Sequence, residues 1–121
     1  MMSRCVLVVD DNVDTANSIA MILRHAGHDV HVAHDGLKAL EMARQIRPEF
    51  VFLDLGLPAL DGFEVARALR REPGLQGVRI IAITGYGQEA DRRKGQDAGI
   101  DQHLLKPVDP AFLESLLGAR Y

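Results

Sequence analysis

The stretch FVFLDLGLPALDGFEVA, residues 50–66, carries the local pattern on which the fold prediction rests. Its first four residues are continuously apolar, which is typical of a strand that is buried on both faces of a parallel sheet. Asp54 follows this run, and a turn containing Gly and Pro then leads to Asp61. Phe63 and Ala66 come next at helical spacing, and an Asp just before such a segment favours a helix start. The stretch therefore predicts one strand–turn–helix unit.

The same unit recurs along the chain. Apolar runs rich in Val, Ile and Leu predict five strands, at residues 5–9, 30–33, 50–53, 80–83 and 103–105. Strands that alternate with helices indicate a parallel sheet covered on both faces, and right-handed crossovers leave few topologies. We predict an α/β fold: a single doubly wound, flavodoxin-like domain with five helices and a five-stranded parallel sheet in the order 2-1-3-4-5.

The segments between the predicted strands have apolar residues at helical spacing. The expected buried faces are Ala16, Ile19, Ala20 and Leu23; Leu37, Leu40, Ala43 and Ile46; Phe63, Ala66 and Leu69; and Phe112, Leu113, Leu116 and Leu117. Residues 88–98 have a weaker helical pattern. We expect helix caps at Asp14, Asp35, Asp61 and Asp109, and helix ends at Gly27, Gly74 and Gly99.

Composition limits the possible classes of function. The chain has 121 residues, the size of one domain, and its charge of −3 argues against a general nucleic-acid binder. Its single cysteine cannot form an internal disulfide, which favours a reducing compartment. No apolar stretch approaches the ~20 residues of a membrane span. We therefore expect a cytoplasmic protein without membrane insertion, in which residues 1–121 form one domain with no linker or effector domain.

Polar residues follow four of the predicted strands directly. Asp10 and Asp11 follow the first strand, Asp54 the third, Thr84 the fourth and Lys106 the fifth. In the order 2-1-3-4-5 these four strands are neighbours, and ligands of open parallel sheets bind at the carboxyl ends of the strands. We therefore predict that the five side chains meet in one crevice.

Three carboxylates in one crevice need compensating charge. Two carboxylates ~5 Å apart repel by about 3 kcal/mol at an effective dielectric constant of ~20, so three pairs approach ~10 kcal/mol. Lys106 alone cannot offset this repulsion, so either a carboxyl pKa rises or a divalent cation binds. Oxygen ligands suit Mg²⁺ or another divalent cation such as Mn²⁺. A phosphoryl ligand would then fit beside the cation, with Lys106 and Thr84 contacting its oxygens and Asp54 as nucleophile.

Four motifs at the predicted strand ends, VLVVDD, VFLDLGLPALDG, IIAITG and HLLKPVD, occur in this order along the chain. Together they resemble the receiver (phosphoacceptor) domain of two-component response regulators, over essentially the whole chain. The resemblance implies phosphorelay signal transduction, in which Asp54 accepts a phosphoryl group from a phosphohistidine. The donor would be a sensor histidine kinase or a histidine phosphotransfer protein, and the new aspartyl phosphate would change conformation and partner binding.

The resemblance also implies a set of metal ligands. Asp10 and Asp11 would hold Mg²⁺ together with Asp54 and the main-chain carbonyl of Gly56. Gly56 has no side chain to cover the acceptor, and Gly85 likewise leaves the approach open. We therefore expect Asp54 to be accessible to a donor histidine.

A switch is implied by the same resemblance, formed by Thr84, His103 and Pro107. Thr84 and Lys106 would contact the phosphoryl group, and the Lys106–Pro107 peptide bond is expected to be cis. The family usually has Tyr or Phe where this chain has His103, and imidazole is smaller, polar and titrates near neutral pH. We hypothesise that the threonine movement is retained while the reporting surface differs. Alternatively, His103 lies on an exposed last strand and has no switching role.

Within the family, the segments LGLPALDGFEVA, ITGYGQEADRRK and LLKPVD are most similar to receivers of hybrid sensor histidine kinases. A stand-alone single-domain response regulator is the other reading. In either case the domain would catalyse only its own phosphorylation and dephosphorylation. We therefore do not expect this chain to be an enzyme in the ordinary sense. Kinase activity would be associated with this chain only if the chain is a fragment of a hybrid histidine kinase. We expect a monomer or weak dimer that does not bind nucleic acid directly.

Two other functions remain open. A Mg²⁺-dependent phosphohydrolase with an aspartate nucleophile, of the haloacid dehalogenase-like class, would need an Asp-x-Asp pair and a cap. This chain has adjacent aspartates and no residues to spare for a cap. A degenerate receiver could serve only as a binding module, but the intact set of Asp11, Asp54, Thr84 and Lys106 argues against that function.

Other notable residues are interpreted without a specific function. Four histidines recur at every third residue: His25, His28, His31 and His34. They span a predicted helix end, a turn and an edge strand, so they do not lie on one face. We therefore expect their side chains to be solvated. The basic triplet Arg92, Arg93 and Lys94 is interpreted as a solvated helix face. Cys5 is expected to pack as a small apolar side chain.

Overall fold

A computed structural model describes residues 3–57, 61–85 and 96–118. The strands are β1 (Cys5–Val9), β2 (Asp29–Ala33), β3 (Phe50–Asp54), β4 (Arg79–Thr84) and β5 (Gln102–Leu105). The helices are α1 (Val13–His25), α2 (Gly36–Ile46), α3 (Gly62–Arg71) and α5 (Pro110–Gly118), and residues 96–98, labelled α4, are also helical. All five predicted strands are confirmed, with bounds that differ by at most one residue at either end. The rest of the predicted helix 88–98 lies outside the described residues.

The five strands form one parallel sheet in the order β2-β1-β3-β4-β5, as predicted. Helix α1 contacts α5, and α2 contacts α3. One apolar core contains residues of α1 and α5, the other residues of α2 and α3, and each core takes alternate residues of the central strands. The doubly wound α/β fold is therefore confirmed.

Burial on both faces explains why the central strands are apolar throughout. Successive side chains of a strand point to opposite faces of the sheet. On β3, Val51 and Leu53 belong to the core beneath α2 and α3, whereas Phe50 and Phe52 belong to the core beneath α1 and α5. Every residue of β3 is buried, including Asp54 at its end. The strand thus runs through an apolar interior and places the carboxylate of Asp54 at the edge of the sheet.

The start of α1 differs from the prediction. Asn12, not Asp14, is the N-cap, and its side chain accepts a hydrogen bond from the backbone N–H of Thr15 at 2.9 Å. The helix begins at Val13, so Asp14 lies inside the first turn. There its negative charge still interacts favourably with the N-terminal end of the helix dipole. Asn12 therefore does what was expected of Asp14.

The other predicted caps are confirmed. The Asp35 side chain accepts from the N–H of Lys38 and caps α2. Asp61 caps α3 in a reciprocal capping box with Glu64. Before α5, the Asp109 carboxylate accepts a hydrogen bond from the backbone N–H of Ala111 at 3.1 Å.

The predicted helix-end glycines Gly27 and Gly99 have positive φ angles of 97° and 92°; Gly74 also has a positive φ angle, 86°, but α3 ends before it, with Glu72 in an extended conformation as its C-cap. Such angles are readily adopted only by glycine, so these turns require it. The end of α2 was not predicted, because no glycine marks it. Arg47 takes the left-handed conformation there, with a φ angle of 50°.

Two predicted core residues are exposed. Leu37, in the first turn of α2, is 73% exposed, and Phe112 of α5 is 41% exposed. In α2 the fully buried positions are Gly36, Ala39 and the predicted Ala43, and the predicted Leu40 and Ile46 are partly buried against the same core. The predicted face of α2 is therefore confirmed except at Leu37. None of the helices in the described ranges has the length and apolar character needed to cross a membrane.

Candidate functional site

Three aspartates meet at the carboxyl ends of β1 and β3. These strands are paired with Val9 opposite Leu53, so Asp10 and Asp54 follow neighbouring positions. Carboxylate oxygens of Asp10, Asp11 and Asp54 all lie within 4.8 Å of one another. Asp10 and Asp54 are buried, whereas Asp11 is exposed. The predicted convergence of these carboxylates is thus present in the structure.

Asp10 is held from several directions. Its Oδ1 accepts a hydrogen bond from the backbone N–H of Asn12 at 2.9 Å, and its Oδ2 lies 3.2 Å from Nζ of Lys106. Its own N–H donates to the carbonyl of Ala33 at 3.1 Å, and Nδ1 of His34 lies 3.1 Å from its carbonyl oxygen. These contacts fix the orientation of a carboxylate that is only 2% exposed.

Asp54 contacts Gly56 and Lys106 and lies beside Asp10. The backbone N–H of Gly56 donates to Oδ1 at 2.9 Å, and Nζ of Lys106 lies 3.7 Å from Oδ2. The pKa of Asp54 is raised to about 6: burial is the main cause and the negative charge of Asp10 adds to it, while the Gly56 hydrogen bond and the Lys106 charge act in the opposite direction. The side chain is 9% exposed, which is less accessible than expected, because Lys106 and Asp10 lie against it.

Lys106 connects the last strand to the aspartates. Its backbone N–H donates to the carbonyl of Thr84 at 2.8 Å, which places its side chain at the same edge of the sheet. Its ammonium group contacts both Asp10 and Asp54. One positive charge among three carboxylates leaves an excess of negative charge, and the carboxylates supply the oxygen donors that Mg²⁺ prefers. The residues present therefore fit a hard divalent cation.

The residues of the implied switch lie on β4 and β5. Thr84 is buried, and its hydroxyl donates to the carbonyl of Leu104 at 3.4 Å. His103 pairs with Ala82 in the sheet and is half-buried, and its Nε2 is shielded from solvent. The alternative interpretation expected an exposed last strand; His103 itself is half-buried, whereas Leu105 at the end of β5 is 43% exposed. The Lys106–Pro107 peptide bond is cis, as expected.

Two residues of the site were not predicted. Asn12 donates its backbone N–H to Asp10, and the only signal was its place directly after two aspartates. Gly62 lies behind Asp54: a Cβ atom at this position would lie 2.8 Å from the carbonyl oxygen of Asp54 and 2.7 Å from Cα of Leu55. Nothing in the local pattern indicated this close approach, because it depends on the angle at which α3 meets β3.

The remaining expectations had mixed outcomes. The four histidines do not converge, as predicted, but not all are simply solvated: Nδ1 of His28 accepts from the N–H of Arg4, and His31 pairs with Asp29 at 3.3 Å. Phe63 is in the core, as predicted. Cys5, which we expected to pack as a small apolar side chain, is half-buried. The basic triplet at residues 92–94 lies outside the described residues.

The chain matches a sequence model of the response regulator receiver domain over residues 6–117. It is 37% identical over 119 residues to the DNA-binding response regulator MtrA of Mycolicibacterium paratuberculosis. That alignment covers 98% of this chain and 52% of the relative. The chain thus spans about half the length of the curated relatives it matches.

Two solved structures are closely similar. The chemotaxis protein CheY4 of Vibrio cholerae superposes with a TM-score of 0.91 at 28% identity, over 98% of both chains. The receiver domain of the sensor histidine kinase PA1611 of Pseudomonas aeruginosa superposes with a TM-score of 0.87 at 31% identity, over 98% of this chain and 97% of that one. The PA1611 structure has a magnesium ion coordinated in its active-site cleft.

Proposed function

Because this chain belongs to the response regulator receiver domain family and is a phosphorelay signalling domain, we propose that Asp54 is its phosphoacceptor. One observation carries the proposal: Asp54 ends a fully buried strand beside Asp10, Asp11 and the ammonium group of Lys106. The neighbouring carboxylates and the lysine suit a phosphoryl group that arrives with a divalent cation. The domain acts as a switch that modifies itself and turns over no separate metabolite.

The proposed reaction is a transfer between two side chains. A carboxylate oxygen of Asp54 forms a bond to phosphorus, the N–P bond of the donor phosphohistidine breaks, and its electron pair returns to the imidazole. Lys106 stays beside the acceptor and neutralises one phosphoryl oxygen. The hydrogen bond from Gly56 to Oδ1 holds the carboxylate in one rotamer during the attack. These residues position the acceptor and stabilise the charge that it receives.

We assign the metal site to Asp10, Asp11 and Asp54, with the main-chain carbonyl of Gly56 as a further ligand. The oxygen donor set of the three aspartates and their mutual distances support Mg²⁺, and Mn²⁺ has the same ligand preference. When bound, the cation would neutralise the carboxylates and the phosphoryl oxygens. Asp10 and Asp54 are already held in place by backbone N–H groups, so the protein side of the site is preorganised.

The switch is assigned to Thr84, His103 and Pro107. The Thr84 hydroxyl, which donates to Leu104 in this structure, would turn to a phosphoryl oxygen once Asp54 is modified. Release of Leu104 would loosen β5 next to His103 and expose a different surface to partners. A phosphoryl group adds a ligand for only one of two conformations, and that difference shifts the population between them.

The partners follow from the proposed chemistry. The donor is a phosphohistidine on a sensor histidine kinase or a histidine phosphotransfer protein. We take residues 1–121 as one receiver domain that does not itself contact nucleic acid, although the matched MtrA protein is a DNA-binding regulator about twice as long. The likeness to the PA1611 receiver supports a place beside a hybrid kinase, and a stand-alone regulator is the other context.

Mass spectrometry of the intact protein after incubation with acetyl phosphate tests this function. We expect one phosphoryl adduct that requires Mg²⁺ and is absent from Asp54→Asn. Asp11→Asn should retain the acceptor but need more Mg²⁺. Asp14→Asn is the matched control, because Asp14 is exposed in the first turn of α1, and it should form the adduct normally.

Three results would contradict the proposal. An adduct that persists in Asp54→Asn would place the phosphoacceptor elsewhere, and the absence of any adduct would leave a binding module. Steady turnover of phosphoesters would favour the hydrolase instead.

The switch is measured on the same samples by amide hydrogen exchange. Phosphorylation should speed exchange in β5, Thr84→Val should abolish that response and His103→Phe should alter it; an unchanged response in His103→Phe would remove His103 from the switch.

A further inference from the structure

A second group of metal-binding side chains lies at the amino ends of the strands, away from Asp54. Cys5 begins β1 and Asp29 begins β2, and the two residues are partners in the parallel register. His31 lies two positions further along β2, so its side chain is on the same face of the sheet as that of Asp29. The ligating atoms of all three residues lie within 4.8 Å of one another. We propose that Cys5, Asp29 and His31 form a binding site for a borderline divalent transition metal, with Zn²⁺ as the expected ion.

The donor set matches Zn²⁺ in chemistry. Thiolate, imidazole and carboxylate are its usual protein ligands, and three of them leave a fourth tetrahedral position for water. Metal–ligand bonds of ~2.0–2.3 Å place tetrahedral ligand atoms about 3.3–3.7 Å apart. Nε2 of His31 is already 3.3 Å from Oδ2 of Asp29. The sulfur must approach by up to about 1 Å, and the exposed Asp29 and half-buried His31 side chains have room to turn toward it.

The surroundings of Cys5 favour a cation. Burial raises the pKa of the Cys5 thiol, and so do the negative charges of Asp29 and Glu49. These two charges place the sulfur in a negative potential, which attracts a cation. Its Sγ also lies 3.8 Å from the carbonyl oxygen of Ile46 at the end of α2. On binding, the thiol proton leaves to solvent as the sulfur–metal bond forms. Nη1 of Arg4 lies 3.4 Å from Oε1 of Glu49.

The two proposed metal sites differ in ligand hardness. The site of Asp10, Asp11 and Asp54 offers only oxygen, which suits Mg²⁺, whereas the site of Cys5 offers sulfur and nitrogen as well. The second site would also join β2, which lies at the end of the strand order, to β1. A metal ion bound there should therefore raise the thermal stability of the folded domain, since it binds the folded state preferentially.

Titration with Co²⁺, in the presence of saturating Mg²⁺, tests this inference directly. The chain contains one cysteine, so a sulfur-to-cobalt charge-transfer absorption band reports Cys5 alone. We expect the wild type to show this band at one equivalent of Co²⁺ and to lose it when Zn²⁺ displaces the cobalt. His31→Gln should weaken Co²⁺ binding at least about tenfold, since even the outer partners of metal ligands contribute that much. Zn²⁺ should also raise the melting temperature of the wild type.

Matched variants separate this site from adventitious binding. His25→Gln makes the same change at an exposed histidine at the end of α1 and should leave Co²⁺ affinity unchanged. Asp29→Asn alters an exposed side chain and should weaken binding without unfolding the protein. The inference is overturned if the wild type shows no charge-transfer band, or if His31→Gln binds Co²⁺ as tightly as His25→Gln. Neither result bears on phosphorylation of Asp54.

Discussion

At the scale of single residues, Asp54 combines two properties that oppose each other. A nucleophile must be ionised, yet burial raises the pKa of this carboxyl to about 6 and thereby favours the neutral form. The Gly56 N–H and the Lys106 ammonium partly offset that cost. A divalent cation would offset the rest, so we expect the ionisation of Asp54 to be coupled to metal binding.

This coupling predicts a pH-dependent stability in the absence of metal. The pKa of Asp54 is about 6 in the folded protein and 3.8 for an ordinary aspartate, so the folded state holds an extra proton between these pH values. The free energy of unfolding should therefore fall as the pH rises from about 4 to about 6, by at most about 3 kcal/mol. Urea denaturation in EDTA, compared with Asp54→Asn, measures this contribution.

The same titration with saturating Mg²⁺ is the control: the cation favours the ionised carboxylate, so the stability of the wild type should no longer fall between pH 4 and pH 6. Asp54→Asn should be the more stable protein above pH 6 without metal. If the free energy of unfolding in EDTA depends on pH identically in the wild type and Asp54→Asn, the burial of Asp54 does not destabilise the folded protein.

At the scale of secondary-structure elements, the position of Asp54 depends on how α3 packs against β3. The capping box of Asp61 and Glu64 fixes the first turn of α3, and Gly62 then lies directly against the backbone of Asp54 and Leu55. An added methyl group at Gly62 would meet backbone atoms, which cannot rotate away as a side chain can. The start of α3 therefore restrains the backbone of Asp54, the proposed nucleophile.

We predict that Gly62→Ala destabilises the protein by about 1–3 kcal/mol, because overpacking against backbone forces the helix or the strand to move. Gly77→Ala is the matched control: a Cβ atom there meets nothing within 4 Å, so stability should change by less than about 0.5 kcal/mol. Urea denaturation gives both values. Phosphoryl adduct formation should also slow in Gly62→Ala, and equal stability of the two variants would refute the close-approach argument.

At the scale of the whole molecule, the site and a hydrogen-bond network centred on Arg70 lie at opposite ends of the strands. Arg70, on α3, donates two hydrogen bonds to the carbonyl of Gly99, at 2.9 and 2.7 Å, and others to the carbonyls of Gln76 and Val78. Its guanidinium also pairs with Asp101 at 2.8 Å. One side chain thus ties α3 to the segments that enter β4 and β5.

Replacing Arg70 by Met should cost about 2–4 kcal/mol of folding free energy, since the carbonyl groups lose charged hydrogen-bond donors while the apolar stem is retained. The neighbouring Arg71 is exposed, and Arg71→Met should change stability by less than about 0.5 kcal/mol. Thermal or urea denaturation measures both. Under conditions where Arg70→Met remains folded, Mg²⁺-dependent phosphorylation should proceed at nearly the wild-type rate. A loss of transfer in the folded variant would mean that the two ends are coupled.

The local pattern was sufficient for the elements and for the main site residues. Asp10, Asp54 and Lys106 were predictable because each directly follows an apolar strand, and parallel strands bring their carboxyl ends together. Helix faces were less predictable: Leu37 has helical spacing but is exposed, since Ala39 and Ala43 let α2 pack closely on its other side.

The sequence alone determined the strand–helix alternation and the motifs at the strand ends, because these depend on residues that are near one another along the chain. Tertiary structure decided which distant residues touch. Cys5 reaches Asp29 through the β1–β2 register, and Gly62 reaches Asp54 through the packing of α3. Both contacts depend on the relative placement of two elements, which no short segment specifies by itself. Burial at the edge of the sheet likewise set the pKa of Asp54, since the surrounding interior comes from several strands.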